Sequence, residues 1–328
     1  SAVVCTDFIQ IGILIAGGLA VVCLGLEKIA EVNHQDGIIN GFSQLLRAQP
    51  GKFHTVLPSQ HNELPWTGVF LGGLWIAALS YWGCNQYIIQ RALAAKNLKE
   101  AQNGLLFASF LSIIVAVIIV LPGIIASELY SNEITARDQA FPVLIQKLLP
   151  AGYSGLVIAA LIAAIISSLN SMCNSVATIF TMDIYRHFFK KQVTQRNMVL
   201  VGRIVTASAL LIAVLVTPGI ARMGRLFAFI QEYTGFVTPG VLVIFLLGMF
   251  WKKASENAAL TAVLLTIPVS VVLKVTLPDV AFLNRMTITF LILLTISFFI
   301  AFSSKKKHPV PVKKEVPVKS SSLLFNVG

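Results

Sequence analysis

The chain has 328 residues, 56% of them hydrophobic and only 12% charged, with a net charge of +11 and a mean hydropathy of +0.81. A soluble domain carries about 25% charged residues, so this composition excludes an ordinary cytosolic enzyme and a disordered chain. The basic excess lies between apolar runs and in the tail, with no basic helix or aromatic–basic platform, which excludes nucleic acid as a partner.

Eight apolar runs follow one another, near 8–26, 66–88, 103–128, 153–180, 199–218, 226–250, 258–278 and 286–302. Each is long enough to cross a hydrocarbon core of roughly 30 Å. A segment in lipid must satisfy its own backbone, so all eight are predicted as helices. The expected fold is an all-α polytopic membrane protein over residues 1–302. Between the first two runs, Glu27 to Pro65 contains Gly, Pro, Asn, Gln and His and is expected to be an extracellular loop carrying short surface helices. Arg91, Lys96 and Lys99 follow the second run. Arg186, Lys190, Lys191, Arg196 and Arg203 lie around the turn between the fourth and fifth, and Lys252 and Lys253 follow the sixth. The positive-inside bias places these loops, and with eight crossings both ends of the chain, on the cytoplasmic side of a cell membrane. The tail, 303–328, alternates Lys, Pro and Val and reads as a solvated, extended segment near anionic lipid heads.

Cys5, Cys23, Cys84 and Cys173 lie in or beside apolar runs without a CxxC pair, so neither a disulfide framework nor a zinc site is expected. No HExxH motif or carboxylate pair occurs at membrane depth, so no enzymatic centre, no catalytic residue and no cofactor is predicted. The first residue is Ser1 rather than Met, without a charged n-region and cleavage site, and the sequence reads as a piece of a longer protein.

The fourth run is the most informative. At 100° per residue, Ala160, Ala164, Ser167, Ser168, Ser171, Asn174, Ser175 and Thr178 share one sector, while Leu161, Ile162, Ile165, Ile166, Leu169, Met172, Val176 and Ile179 share the other half. Small and hydroxylated residues suit close helix packing. The three serines and one asparagine at mid-membrane depth also suit a hard cation such as Na⁺, which prefers oxygen ligands. The second run sets Trp75, Tyr81 and Trp82 between Gly72, Gly73 and Gly83, with Asn85, Gln86 and Gln90 following. Aromatic rings with polar handles beside a glycine break suit a small polar solute. In the sixth run Gln231 and Glu232 precede Gly235, Thr238, Pro239 and Gly240, a bend at membrane depth, and Glu232 is a candidate for gating or for packing polarity.

The stretches YWGCNQYIIQRALAAKN, LPGIIASELY, AAIISSLNSMCNSVATIFTMDIYR, FIQEYTGFVTPG and FLLGMFWKK resemble the sodium:solute symporters, most closely the sodium/glucose and sodium/galactose cotransporters. The resemblance runs to about residue 302 and implies a ten-helix (LeuT-like) core of two inverted five-helix repeats. The first run matches the fifth core helix and the second to sixth match the complete second repeat; the first four core helices have no counterpart in the sequence. It implies a sodium site at Ala164, Ser167 and Ser168, with the remaining carbonyl ligands on a first core helix, and a release path at Asp7. Members with a second sodium site carry hydroxyls where this chain has Asn170 and Ser171, so Ser171 is a possible second-site ligand and Asn170 a departure. On the solute side it implies roles for Tyr81, Trp82 and Gln231. Ala78 stands where sugar carriers usually offer Asn or Thr, and Ser112 where they offer Lys. Loss of two polar contacts of about 1 kcal/mol each opens the substrate range from hexoses to polyols and other small polar solutes. The function so implied is sodium-coupled symport of a sugar or related solute across the lipid bilayer, by alternating access; the rival is a non-transporting partial chain or a membrane sensor module.

Overall fold

A computed structural model describes residues 2–61, 64–189, 194–221, 226–251 and 254–303. Lys190, Lys191, Lys252, Lys253 and the tail from 304 lie outside the described residues. The described residues contain twelve α-helices and no strands: α1 (Ala2–Val32), α2 (Ile38–Ala48), α3 (Trp66–Phe70), α4 (Gly73–Cys84), α5 (Gln86–Leu93), α6 (Leu98–Leu129), α7 (Ala140–Leu148), α8 (Ala151–Ile179), α9 (Gln195–Ala221), α10 (Leu226–Phe250), α11 (Glu256–Thr276) and α12 (Phe282–Ser303). Eight spans among them are long and apolar enough to cross a membrane, and they coincide with the eight expected runs. The boundaries are set locally. The Asn97 side chain accepts a hydrogen bond from the Glu100 N–H at the start of α6, and Ser255 does the same for Ala258 at the start of α11.

Two differences from the sequence expectation matter. First, α1 continues through Glu27 and Lys28 to Val32, closed by an exposed Lys28–Glu31 pair and by Asn33 Nδ2 bonding the Ile29 carbonyl. The amphipathic helix α2 then returns across its end. Second, the span at 66–88 is interrupted twice, at the expected glycine break and at a further point. It breaks at Leu71–Gly72 and again at Asn85, whose backbone is extended. The first break has a steric cause: a Cβ on Gly73 would lie 2.3 Å from the Leu283 carbonyl oxygen, and one on Gly72 2.0 Å from Thr287 Oγ1. The chain therefore comes into contact with the α12 backbone where only glycine fits.

The helices pack as two groups. In one, α1, α2, α6, α7 and α8 enclose a core of Val21, Leu26, Ile29, Leu45, Ile125, Leu144 and Ile145. Gly17 and Gly18 face Val157 of α8 and Ile118 of α6, so small residues on α1 let three helices approach closely. In the other, α10, α11 and α12 pack with α4 around Ile76, Leu242, Leu283, Met286, Val243 and Leu293. Here the proline bend of α10 is repaired from outside: Gly240 N–H donates to Thr266 Oγ1, while the Phe236 carbonyl accepts from Thr266 and Ser270 of α11. The helix α5, after α4, lies against both α6 and α8 and joins the groups.

The sequence left Glu232 between gating and packing. Its Oε1 accepts from Arg285 Nη2 of α12 at 2.7 Å and lies 3.3 Å from Lys274 Nζ of α11. Arg285 also donates to the carbonyls of Leu277 and Pro278, so one guanidinium ties α10 to the α11–α12 turn. Hydrogen bonds to charged groups contribute about 1.5–3 kcal/mol; with Glu232 partly exposed, Glu232→Gln is expected to cost about 1–2 kcal/mol of stability, read as a lower melting temperature of the detergent-solubilised chain.

Candidate functional site

Between the two groups lies a cavity of about 470 Å³ whose lining includes Tyr81 and Trp82 of α4, Tyr87 and Arg91 of α5, and Ser168 and Ser171 of α8. Its size falls within the range of about 300–1,000 Å³ typical of small-molecule sites. Two of its walls differ in chemistry.

One wall is aromatic. The Tyr81 and Trp82 rings meet edge to face at 5.4 Å, and Tyr81 and Tyr87 at 6.0 Å. The Tyr87 hydroxyl donates to the Tyr81 hydroxyl at 2.6 Å. Tyr81 and Trp82 are each about half exposed and line the cavity. This arrangement exists because the chain turns at Asn85. A continuous helix would carry Tyr87 about 9 Å up its axis from Tyr81 and to another face, whereas the extended Asn85 redirects the chain so that the two tyrosines meet.

The facing wall is hydroxylated. Ser168 lines the cavity and makes no hydrogen bond among the described residues; Ser171 also lines it, accepting from Arg91 Nη2 at 2.7 Å and donating to the Ser167 carbonyl at 3.1 Å. The opposite half of α8, with Ile162, Ile165, Ile166, Leu169 and Met172, is exposed and apolar, the property of a lipid-facing surface. Small residues of the stripe serve packing at one end, where Val157 and Ala160 are buried near α1, and line the cavity farther along. The packing reading thus applies to the first turns of α8, while Ser168 and Ser171 face the cavity.

The remaining sequence candidates lie elsewhere. Ala164 and Ser167 are half-buried on α8 and outside the cavity lining. Ala78 is half-buried on α4, and Ser112, exposed on α6, donates to the Ala108 carbonyl of its own helix. Gln231 is exposed on α10, outside the lining. Asp7 lies in α1, but its side chain is outside the described residues. Sequence reasoning missed Tyr87, Gln90 and Arg91 as a set. They lie on one face of α5 by their i, i+3, i+4 spacing, and Gln90 Oε1 accepts from Asn174 Nδ2 of α8 at 3.3 Å. The matching polar stripes on the two helices were the available signal; Arg91 was instead counted as a charge flanking the membrane.

Residues 1–266 match the sodium:solute symporter family. The whole chain is 42% identical, over 351 aligned positions, to a sodium/glucose cotransporter of Vibrio parahaemolyticus, of which it spans 64%. It is 34% identical over 285 positions to sodium/myo-inositol cotransporter 2 of Bos taurus, with 79% of this chain and 42% of the relative aligned. Sodium/glucose cotransporter 4 of Mus musculus is 32% identical, with 79% and 41% aligned. The chain therefore spans about two thirds or less of these relatives. The fold matches a Na⁺-coupled sialic acid symporter in a substrate-bound outward-open state, with a TM-score of 0.73 and 20% identity over 92% of this chain and 62% of that one. With eight apolar spans on the same fold, and a family match over most of its length, this chain is an integral membrane protein and belongs to the sodium:solute symporter family.

Proposed function

We propose that the chain forms the greater part of a sodium-coupled symporter for a small polar solute, a sugar or a polyol. The observation that carries this reading is the juxtaposition in one cavity of the Ser168–Ser171 hydroxyls and the Tyr81–Trp82–Tyr87 aromatics. Neutral oxygens strip the hydration shell of Na⁺ without holding it irreversibly. Half-exposed aromatic rings offer apolar faces to the C–H side of a sugar ring while their polar ends remain available to hydroxyls. In this reading the hydroxyls of Ser167 and Ser168 and the Ala164 carbonyl bind sodium, Asp7 lies on its way out, and Tyr81 and Trp82 close the solute site. Gln231 bonds the solute when the two helix groups come together; Ser171 is a further candidate for a second ion.

The positive-inside bias supports a cytoplasmic location for the α5–α6 turn, with Arg91, Lys96 and Lys99, and for both chain ends, in a cell membrane. The cavity, lined by Arg91 and Glu100 of that turn, then opens toward the cytoplasm. Rocking of one helix group against the other alternates access. One charge crossing 100 mV supplies about 2.3 kcal/mol, enough for a solute gradient of roughly fiftyfold before any sodium gradient is added. No covalent chemistry and no cofactor are required.

Ala78 and Ser112 offer no polar group to the cavity, so two contacts that sugar carriers use are lost and the solute range takes in both sugars and polyols. The test is uptake of labelled hexoses and of myo-inositol into liposomes carrying the full polypeptide, with sodium or choline outside. Sodium-dependent accumulation of a hexose or of myo-inositol is the expected result, and uptake that ignores sodium for every sugar and polyol tried overturns the reading.

A further inference from the structure

We propose that Arg91 is a positioning residue that couples the solute side of the cavity to the sodium helix through α5. The inference rests on the symport reading above and adds to it the element that transmits one site's occupancy to the other.

Four bonds define the coupling. At one end of α5, Tyr87 donates to Tyr81 of the aromatic wall. One turn later, Arg91 donates to Ser171 of α8 and Gln90 accepts from Asn174 of α8. Ser171 passes the link on by donating to the Ser167 carbonyl, one turn earlier on the same helix and next to Ser168. Polar contacts at the two ends of α5 thus connect, through the helix itself, the ring that meets solute to the turn that carries the candidate sodium ligands.

The mechanical properties of α5 fit such a role. It is eight residues long, none of its side chains is fully buried, and it joins α4 through the extended residue Asn85. Its residues are half-buried or exposed where it docks between α6 and α8, so its polar bonds to α8 add appreciably to what holds it on the cavity wall. Segments with few buried contacts and exposed polar bonds open locally most readily. An exposed charge-assisted bond shifts the open–closed ratio of such a segment about tenfold. That is a size that solute or ion binding can overcome. The Arg91–Ser171 bond holds α5 against α8 on the cavity wall that Ser168 shares, and so limits how far that wall opens. When Tyr81 moves on binding or losing solute, Tyr87 pulls on the same helix and the bond breaks.

The contact also explains why arginine stands at this position. A guanidinium has several donors in a rigid fork, so Arg91 keeps one on Ser171 while α5 pivots; a lysine ammonium is a point donor on a more flexible stem.

The experiment uses the full polypeptide in liposomes, comparing wild type with Arg91→Ala, Arg91→Lys, Ser171→Ala and the Arg91→Ala/Ser171→Ala double variant. Radioactive sodium flux without solute is measured beside solute moved per sodium. Loss of the latch is expected to raise solute-free sodium flux about tenfold in either alanine variant. The double variant is expected to fall well short of the sum of the single ones, because both remove the same Arg91–Ser171 bond. Arg91→Lys is expected to restore part of the coupling. A residue that only supports the fold changes total transport but neither the solute-free leak nor its non-additivity. Ser171→Ala removes a single hydroxyl and keeps the test open if Arg91→Ala does not insert. Coupled transport by wild type with an unchanged leak in Arg91→Ala and Ser171→Ala overturns the latch alone. Strictly additive effects do the same, whereas wild type without sodium-stimulated uptake overturns the symport reading and the latch together.

Discussion

Replacing Ser168 by alanine in the full polypeptide is expected to raise the sodium concentration for half-maximal uptake at least tenfold while leaving the ranking of solutes unchanged. The hydroxyl is exposed on the cavity wall and makes no hydrogen bond among the described residues, so its removal leaves no buried partner unsatisfied. The variant should therefore melt where wild type does. What it loses is one oxygen for a desolvated cation. A bond to a charged group contributes about 1.5–3 kcal/mol, which corresponds to roughly ten- to a hundredfold in affinity. Ser168→Thr keeps the oxygen and is expected to stay near wild type. The sign of the solute effect is part of the prediction: Tyr81 and Trp82 lie on another helix, so solute preference should follow them. Sodium titrations of uptake provide the measurement, and superimposable curves for wild type and Ser168→Ala would remove Ser168 from the sodium site.

The same positions mark how far the sequence carried. Spans of this length and apolarity have little alternative to helix in lipid, so the eight crossings were legible one by one. The hydroxyl stripe was legible as well, because a 3.6-residue period puts Ser168 and Ser171 on one face wherever the helix lies. What period and composition do not encode is which neighbour a face meets. Arg91 read as a flanking charge because nothing in its own segment indicates that α8 presents Ser171 to it. Glu232 stayed ambiguous for the same reason: its two cations come from helices over 40 positions away, Lys274 in α11 and Arg285 in α12. The break at Asn85 was hidden too, since asparagine is tolerated in a helix at small cost, and only the docking of α5 between α6 and α8 selects the extended conformation. Gln231, Ala78 and Ser112 came from resemblance alone, and in this arrangement of the two helix groups they lie outside the cavity. That is compatible with a site completed only when the groups close.

Gly73 is where the fold and the proposed solute site depend most directly on one atom. Built onto this backbone, an alanine methyl lies 2.3 Å from the Leu283 carbonyl oxygen and 2.7 Å from its carbonyl carbon and Cα. These are main-chain atoms of α12 and cannot swing aside like a side-chain tip, so α4 must move away as a unit. Over-packing of this kind costs about 1–3 kcal/mol and more where backbone must shift. It outweighs the roughly 1 kcal/mol that alanine gains over glycine in helix propensity. Because α4 carries Tyr81 and Trp82, the displacement reaches the aromatic wall of the cavity. Gly73→Ala is therefore expected to lower the melting temperature and to cut maximal sodium-driven uptake about tenfold, through misplacement worth only about 1.4 kcal/mol. Half-saturation for sodium should shift far less, since α8 is packed in the other helix group. Gly123→Ala is the control: its methyl would meet nothing within 4 Å, and the variant is expected to keep wild-type melting and uptake. Equal melting and equal uptake for Gly73→Ala and wild type would mean that α4 does not rest on the α12 backbone, and that the cavity owes its shape to some other contact.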